Sequence, residues 1–194
     1  MTSQQQLDQL EQKIMDNNVC PELRDQATQL VFGSGNPDAD VMFIGEAPGA
    51  KEDISGEPFV GASGKMLNEM LEQSGMQRSD SYITNIVKYR PPDNRDPSVS
   101  EKNEFWPYLL KQIAIIKPKI MATLGRHAGS VFLPDLIIGK DHGKPKHIKV
   151  ELDGKEEDIL IMPLYHPAAA LYNGSLRQTL FDDFKTAAQL IKEA

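Results

Sequence analysis

Val41-Met42-Phe43-Ile44-Gly45-Glu46-Ala47-Pro48-Gly49 is the stretch on which the reading of this chain turns. Four apolar residues follow one another with no polar alternation, which reads as a strand buried on both faces. Gly45 closes the run, and the Gly and Pro punctuation after it bends the backbone sharply. Strands of this kind belong to parallel sheets, in which strands alternate with helices.

Outward from this strand the alternation continues. Upstream, residues 4–17 carry Leu7, Leu10 and Ile14 at helical spacing, and a Gly/Asn/Pro/Asp loop follows at 33–38. Downstream, a long loop leads to a helix at 63–74, with Met66, Leu67, Met70 and Leu71 on one face and Gly75 as its stop. Tyr82 to Val87 reads as a second strand. Arg90-Pro91-Pro92-Asp93-Asn94-Arg95-Asp96-Pro97 must be a loop, because Pro is poor inside either element. Ser98 or Ser100 caps a helix that runs to about Ile116, and Pro118 ends it. Ile120 to Leu124 is a third strand, and Gly125 opens a short helix. Residues 137–158 read as hairpin or loop, Ile159 to Leu164 as a fourth strand, and 175–192 as the last helix. The expected fold is α/β, a four-stranded parallel sheet covered on both faces in a single domain, 1–194. Ligands of such sheets sit beyond the carboxyl ends of the strands. Chemistry is therefore expected in the segments that begin at Gly45, Lys88, Gly125 and Tyr165.

Composition sets outer bounds. With 194 residues, 40% of them hydrophobic, the chain suits one domain with a real core. No apolar run approaches a membrane span, and the start MTSQQQLDQLEQK lacks the order of a signal peptide, so a cytoplasmic protein with no membrane association is expected. The single cysteine, Cys20, excludes an intramolecular disulfide and a thiolate metal cage, and reads as a small buried hydrophobe. A net charge of −7 counts against nonspecific binding to a polyanion. Basic residues nevertheless gather at Lys88, Arg90 and Arg95 and again at Lys140, Lys144, Lys146, His147 and Lys149, either as nucleic-acid contacts or as solvated faces.

Four side chains stand where chemistry is expected. Glu46 leaves the first strand and can orient a water or balance a developing cation; a solvated Glu on a surface turn is the competing reading. Phe59, in a Gly- and Pro-punctuated loop, can stack on a base or anchor the loop to the core. Asn85 sits between apolar residues, and its amide matches a pyrimidine edge or else satisfies nearby backbone. His166, before Pro167, ends the fourth strand and can donate to an oxygen that becomes negative, unless it is structural.

Taken in order, Gly-Glu-Ala-Pro-Gly, Gly-x-Pro-Phe-Val-Gly, Asn-Ile-Val-Lys-x-Arg-Pro-Pro-x-Asn-Arg, Leu-Gly and His-Pro resemble family 4 of the uracil-DNA glycosylases, from about residue 20 to residue 190. The resemblance implies a three-layer α/β/α sandwich. It also implies a monofunctional enzyme that removes uracil from DNA by hydrolysing the N-glycosidic bond, initiating base excision repair. By that resemblance Glu46 positions the attacking water, Phe59 stacks on flipped uracil, Asn85 reads its edge, and His166 stabilises charge on the departing base. Backbone at Gly45 and Ala47 completes the pocket. Lys88, Arg90, Ala168, Ala169 and Arg177 are the expected DNA contacts, and a monomer acting on uracil-containing DNA is expected. Two other readings use the same pocket: a DNA-binding module without turnover, and a hydrolase or binder for a free nucleoside or nucleotide, which would lack an electropositive rim.

The chain departs from its resemblance in one respect. Cluster-bearing relatives use four cysteines, whose positions here fall near Asn17, at Cys20, at Tyr89 and at Phe105. One thiolate cannot hold a four-iron cluster, so neither a cluster nor any other metal is expected. Tyr89, Phe105 and Trp106 are expected to fill the volume with apolar packing.

Overall fold

The computed structural model describes residues 1–193. In chain order the elements are α1 (Ser3–Asp16), α2 (Pro21–Arg24), β1 (Ser34–Gly35), β2 (Val41–Gly45), α3 (Ala50–Ser55), α4 (Ala62–Gln73), β3 (Ser81–Asn85), α5 (Val99–Ile116), β4 (Ile120–Leu124), α6 (Arg126–Phe132), α7 (Ile138–Asp141), β5 (Lys146–Leu152), β6 (Lys155–Leu164), α8 (Ala168–Tyr172) and α9 (Ser175–Glu193). The strands form one sheet in the order β1-β3-β2-β4-β6-β5. The inner four, β3, β2, β4 and β6, are mutually parallel. They are the four strands expected from the sequence. Two antiparallel strands flank them, β1 on β3 and β5 on β6, so the sheet is six-stranded and mixed rather than four-stranded and parallel. Both additions cover an edge that a bare parallel sheet would expose.

Every residue of β2, β3 and β4 is buried. The unbroken apolar run at 41–44 has a simple cause: successive side chains enter two different cores. Met42 and Ile44 pack with α1 and α5, while Val41 and Phe43 pack with α4 and α9, where Phe43 stacks on Phe184 at 5.7 Å. The three layers are thus α1/α5, sheet and α4/α9. Ser98 caps α5 in a box with Glu101, and Arg95 grips the Glu101 carboxylate at 2.6 and 2.9 Å. That grip, with the Ser98 N–H, holds the Glu101 carboxyl below the usual carboxylate range.

Residues 50–64 do not form one long loop. Ala50–Ser55 is helical, and Glu52 Oε1 accepts from the N–H groups of Val60 and Gly61 at 2.9 and 2.8 Å, folding the following segment back. The order of the parallel strands reverses at β2, which has β3 on one side and β4 on the other, so the crevice beyond its carboxyl end is the place for a ligand.

Candidate active site

A cleft of 440 Å³ opens at that crevice, lined by the turns after β2, β4 and β6 and by the proline-rich loop after β3. Glu46 and Ala47 come from the first turn, Arg126 and His127 from the second, Tyr165, His166 and Ala169 from the third, and Arg95 and Asp96 from the loop. The pairing of β2 with β3 runs past the strand ends, since Ile86 N–H donates to Gly45 O and Val87 N–H to Glu46 O. The backbone that presents Glu46 is therefore part of the sheet.

Behind the cleft, Asn85 and Phe59 converge on Gly45. A Cβ at Gly45 would lie 2.3 Å from Asn85 Oδ1 and 2.7 Å from Phe59 Cζ, so only glycine lets both side chains close on this strand end. Asn85 is 1% exposed and its Oδ1 has no hydrogen-bond partner. A buried acceptor left unmatched costs about 1–3 kcal/mol, and a ligand donor would recover it. Phe59 is buried and holds a left-handed backbone at φ +53°, costly for an aromatic residue. Its surroundings enforce that conformation. Arg78 donates to the carbonyls of Phe59 and Pro58 at 3.1 and 2.5 Å, and Gly64 approaches so closely that a Cβ there would strike Phe59 O.

His166 faces Phe59 with ring centroids 5.7 Å apart. Burial pulls its imidazole down from 6.5 to about 4, so the ring is neutral near pH 7. Its Nδ1 accepts from Ala168 N–H at 3.1 Å, which leaves the ring proton on Nε2 as a donor. Glu46 lines the same cleft with a side chain 19% exposed and a buried Oε1 that has no hydrogen-bond partner; Lys102 Nζ lies 3.4 Å and His127 Nδ1 3.6 Å from it. Glu46, Asp96 and His127 bring potential metal-ligand atoms within 4.8 Å of one another. Lys102 beside Glu46 and Arg126 Nε at 3.2 Å from His127 already supply positive charge there.

Of the expected site residues, the structure gathers Gly45, Glu46, Ala47, Phe59, Asn85, His166 and Ala169, with Ala168 at the start of α8. Arg90 lies on the loop, donating to Asn94 Oδ1 at 2.8 Å. Arg177 is elsewhere, paired with Glu69 and lying over the Phe181 ring. Lys88 is a correction: it is 0% exposed and cannot reach a phosphate from its present position. Its three ammonium hydrogens meet Thr84 Oγ1, Asn85 O and Gln112 Oε1, each at 2.6 Å, while burial lowers its pKa well below the usual value. It braces the backbone of Asn85 from behind. Arg126, His127, Lys102, Asp96 and Arg78 were not singled out as site residues, although the first two directly follow Gly125, where a strand end was expected to carry chemistry.

The second basic segment is largely compensated, by the Lys146–Asp141 and Lys149–Glu156 ion pairs and a His147–Asp158 hydrogen bond, and reads as a solvated face. Around Cys20, the donor set does not fit an iron–sulfur cluster. Cys20 is buried and its thiol is pushed up to about 11 by burial, so it stays protonated. Tyr89 and Phe105 pack edge to face at 5.9 Å in the same core as Cys20, and Asn17 donates to Tyr108 Oη at 3.0 Å. Trp106 packs on Phe132 at 5.2 Å, at the margin of the same core.

Residues 32–189 match the profile of the Uracil DNA glycosylase superfamily. The chain is 44% identical to the type-4 uracil-DNA glycosylase of Sulfurisphaera tokodaii over 190 residues, covering 95% of this chain and 84% of the relative. It is 43% identical to the type-4 enzyme of Archaeoglobus fulgidus, over 95% and 92% of the two chains. With the type-4 enzyme of Thermotoga maritima the identity is 37%, over 99% and 98%. The chain belongs to the uracil DNA glycosylase superfamily.

Proposed function

We propose that this protein is a monofunctional uracil-DNA glycosylase that flips uracil out of DNA and hydrolyses its N-glycosidic bond. The observation that carries this reading is the pairing of a neutral His166, its proton on Nε2, with an unmatched Asn85 Oδ1, both gathered around the Phe59 ring. A planar base with adjacent donor and acceptor groups answers both.

Extruding the nucleotide costs a few kcal/mol. Phe59 recovers part of that by stacking on the base, and Asn85 by pairing with its edge. As the bond breaks, charge separates into a sugar cation and a uracil anion. His166 Nε2–H donates to the oxygen of the departing base, and Glu46 faces the sugar and orients the water that attacks it. Among the described residues no helix is long and apolar enough to cross a membrane. DNA contacts are proposed for Arg90 and exposed Arg126 at the rim, and for α8, whose Leu171 and Tyr172 are 45% and 90% exposed. This cationic rim favours DNA over a free nucleoside. No step draws on an iron–sulfur cluster.

The test is a labelled oligonucleotide carrying one uracil, treated with alkali after incubation. Scission at uracil by wild type, lost in Glu46→Gln, is expected. A well-folded wild type that cuts neither single- nor double-stranded substrate would sink the proposal.

A further inference from the structure

Glu46 is the carboxylate on which the proposed reaction depends, yet nothing in hydrogen-bonding geometry holds it. Two groups face its buried Oε1, Lys102 Nζ on α5 at 3.4 Å and His127 Nδ1 on α6 at 3.6 Å. They differ in kind. An ammonium on a flexible four-carbon stem fixes no direction. An imidazole is a rigid ring, and the bond made by one nitrogen decides what the other presents.

Here that bond is visible. Arg126 Nε always carries its hydrogen and donates to His127 Nε2 at 3.2 Å. Nε2 is therefore the accepting nitrogen of the ring, and the ring hydrogen on Nδ1 faces Glu46. Asp96 Oδ2 lies 3.7 Å from the same Nε2, where Arg126 competes with it. Of the two oxygens only Oε1 is buried without a partner, so Oε2 is the one left to meet a water.

We infer that His127 is a positioning residue for the glycosylase reaction: its Nδ1–H closes onto Glu46 Oε1 in the reacting complex and turns Oε2 toward the attacking water. The inference rests on the glycosylase reading of the site. Hydrogen bonds among catalytic groups are often long in the free enzyme and tighten around substrate. A donor on Oε1 also fixes the direction of the carboxylate.

Three substitutions separate this role from a structural one. In His127→Asn the amide Nδ2 falls where the ring has Nδ1. In His127→Gln it falls one bond further out, and in His127→Ala there is no donor. Single-turnover excision of uracil should slow about tenfold in the Ala and Gln variants, the scale of one hydrogen bond to a charged group. Melting temperature and DNA affinity should hold. His127→Asn should stay within roughly twofold of wild type. In a Glu46→Gln background, His127→Ala should cost nothing further, since the two act as a unit. Equal rates in wild type and His127→Ala would overturn the inference while leaving the glycosylase reading intact. So would equal losses in the Asn and Ala variants, or a rise in KM at unchanged kcat. A wild type that does not excise uracil would remove both readings together.

Discussion

The cleft and the region around Cys20 share one short segment, which places Asn85 behind the cleft and Tyr89 in the core beside Cys20, and they are built on opposite principles. In the cleft, polar atoms are left unmatched: Glu46 Oε1 and Asn85 Oδ1 are buried without partners, and Phe59 is held in a left-handed backbone. Around Cys20, groups are matched. Glu104 accepts from the Cys20 N–H at 2.9 Å, and Phe105 meets Tyr89 edge to face. The first region gives up stability to stay ready for a ligand. The second offers a ligand nothing and supplies stability from packed rings. Changes in the two regions should therefore separate cleanly, one affecting rate and the other affecting folding.

The sharpest attempt to break that separation is Phe105→Ala. Removing a ring that is 0% exposed should cost about 3–5 kcal/mol in chemical denaturation, with the excision rate per folded molecule unchanged. An unchanged denaturation midpoint would mean that the rings do not hold the N-terminal segment. Next comes His166→Ala, which should lose about 10²–10³ in single-turnover rate, the scale of one oxyanion donor, with little change in melting temperature. A wild-type rate would remove His166 from the chemistry. A smaller effect is linked to pH. The folded imidazole sits at about 4, below its ordinary 6.5, so the unfolded chain binds that proton first. The stability involved is intact above pH 6.5 and is lost as pH falls toward 4. Denaturation of wild type between pH 7 and 5 should therefore show a steeper loss than His166→Ala; parallel curves would contradict the burial argument. The smallest effect is expected for Tyr89→Phe, within about 0.5 kcal/mol, because the ring and not the hydroxyl does the packing. A large loss there would show that the second region is less purely apolar than its geometry implies.

The layout of layers was legible because it rests on short, mostly apolar runs bounded by Gly and Pro. Val41–Ile44 and Ile120–Leu124 read as strands buried on two faces, and both are. The edges were legible only in part. β1 is two residues long and carries no pattern, whereas the hairpin expected within 137–158 is the turn between β5 and β6, whose alternation of Ile148, Val150 and Leu152 with charged residues did not by itself say which strand it joins. α3 was lost among the Gly and Pro that flank it. In the site, Glu46, Asn85, Phe59 and His166 stood out by their positions at strand ends and in punctuated loops. His127 did not, because its significance lies in a contact with residues 81 and 31 positions away, Glu46 and Asp96. Lys88 was read from its neighbours Arg90 and Arg95 as a surface cation. Only the third dimension reveals that Gln112 comes across from α5 to receive it.

That buried amine has a practical use. Lys88 links β3, through Thr84 and Asn85, to α5, through Gln112, and Phe32 lies against it at 5.9 Å from the ring centroid. An acylating reagent that modifies the surface lysines within minutes has no route to this one while the core is closed. The slow appearance of label on Lys88 would therefore count openings of the middle of the molecule, an internal clock for its breathing that needs no engineered probe.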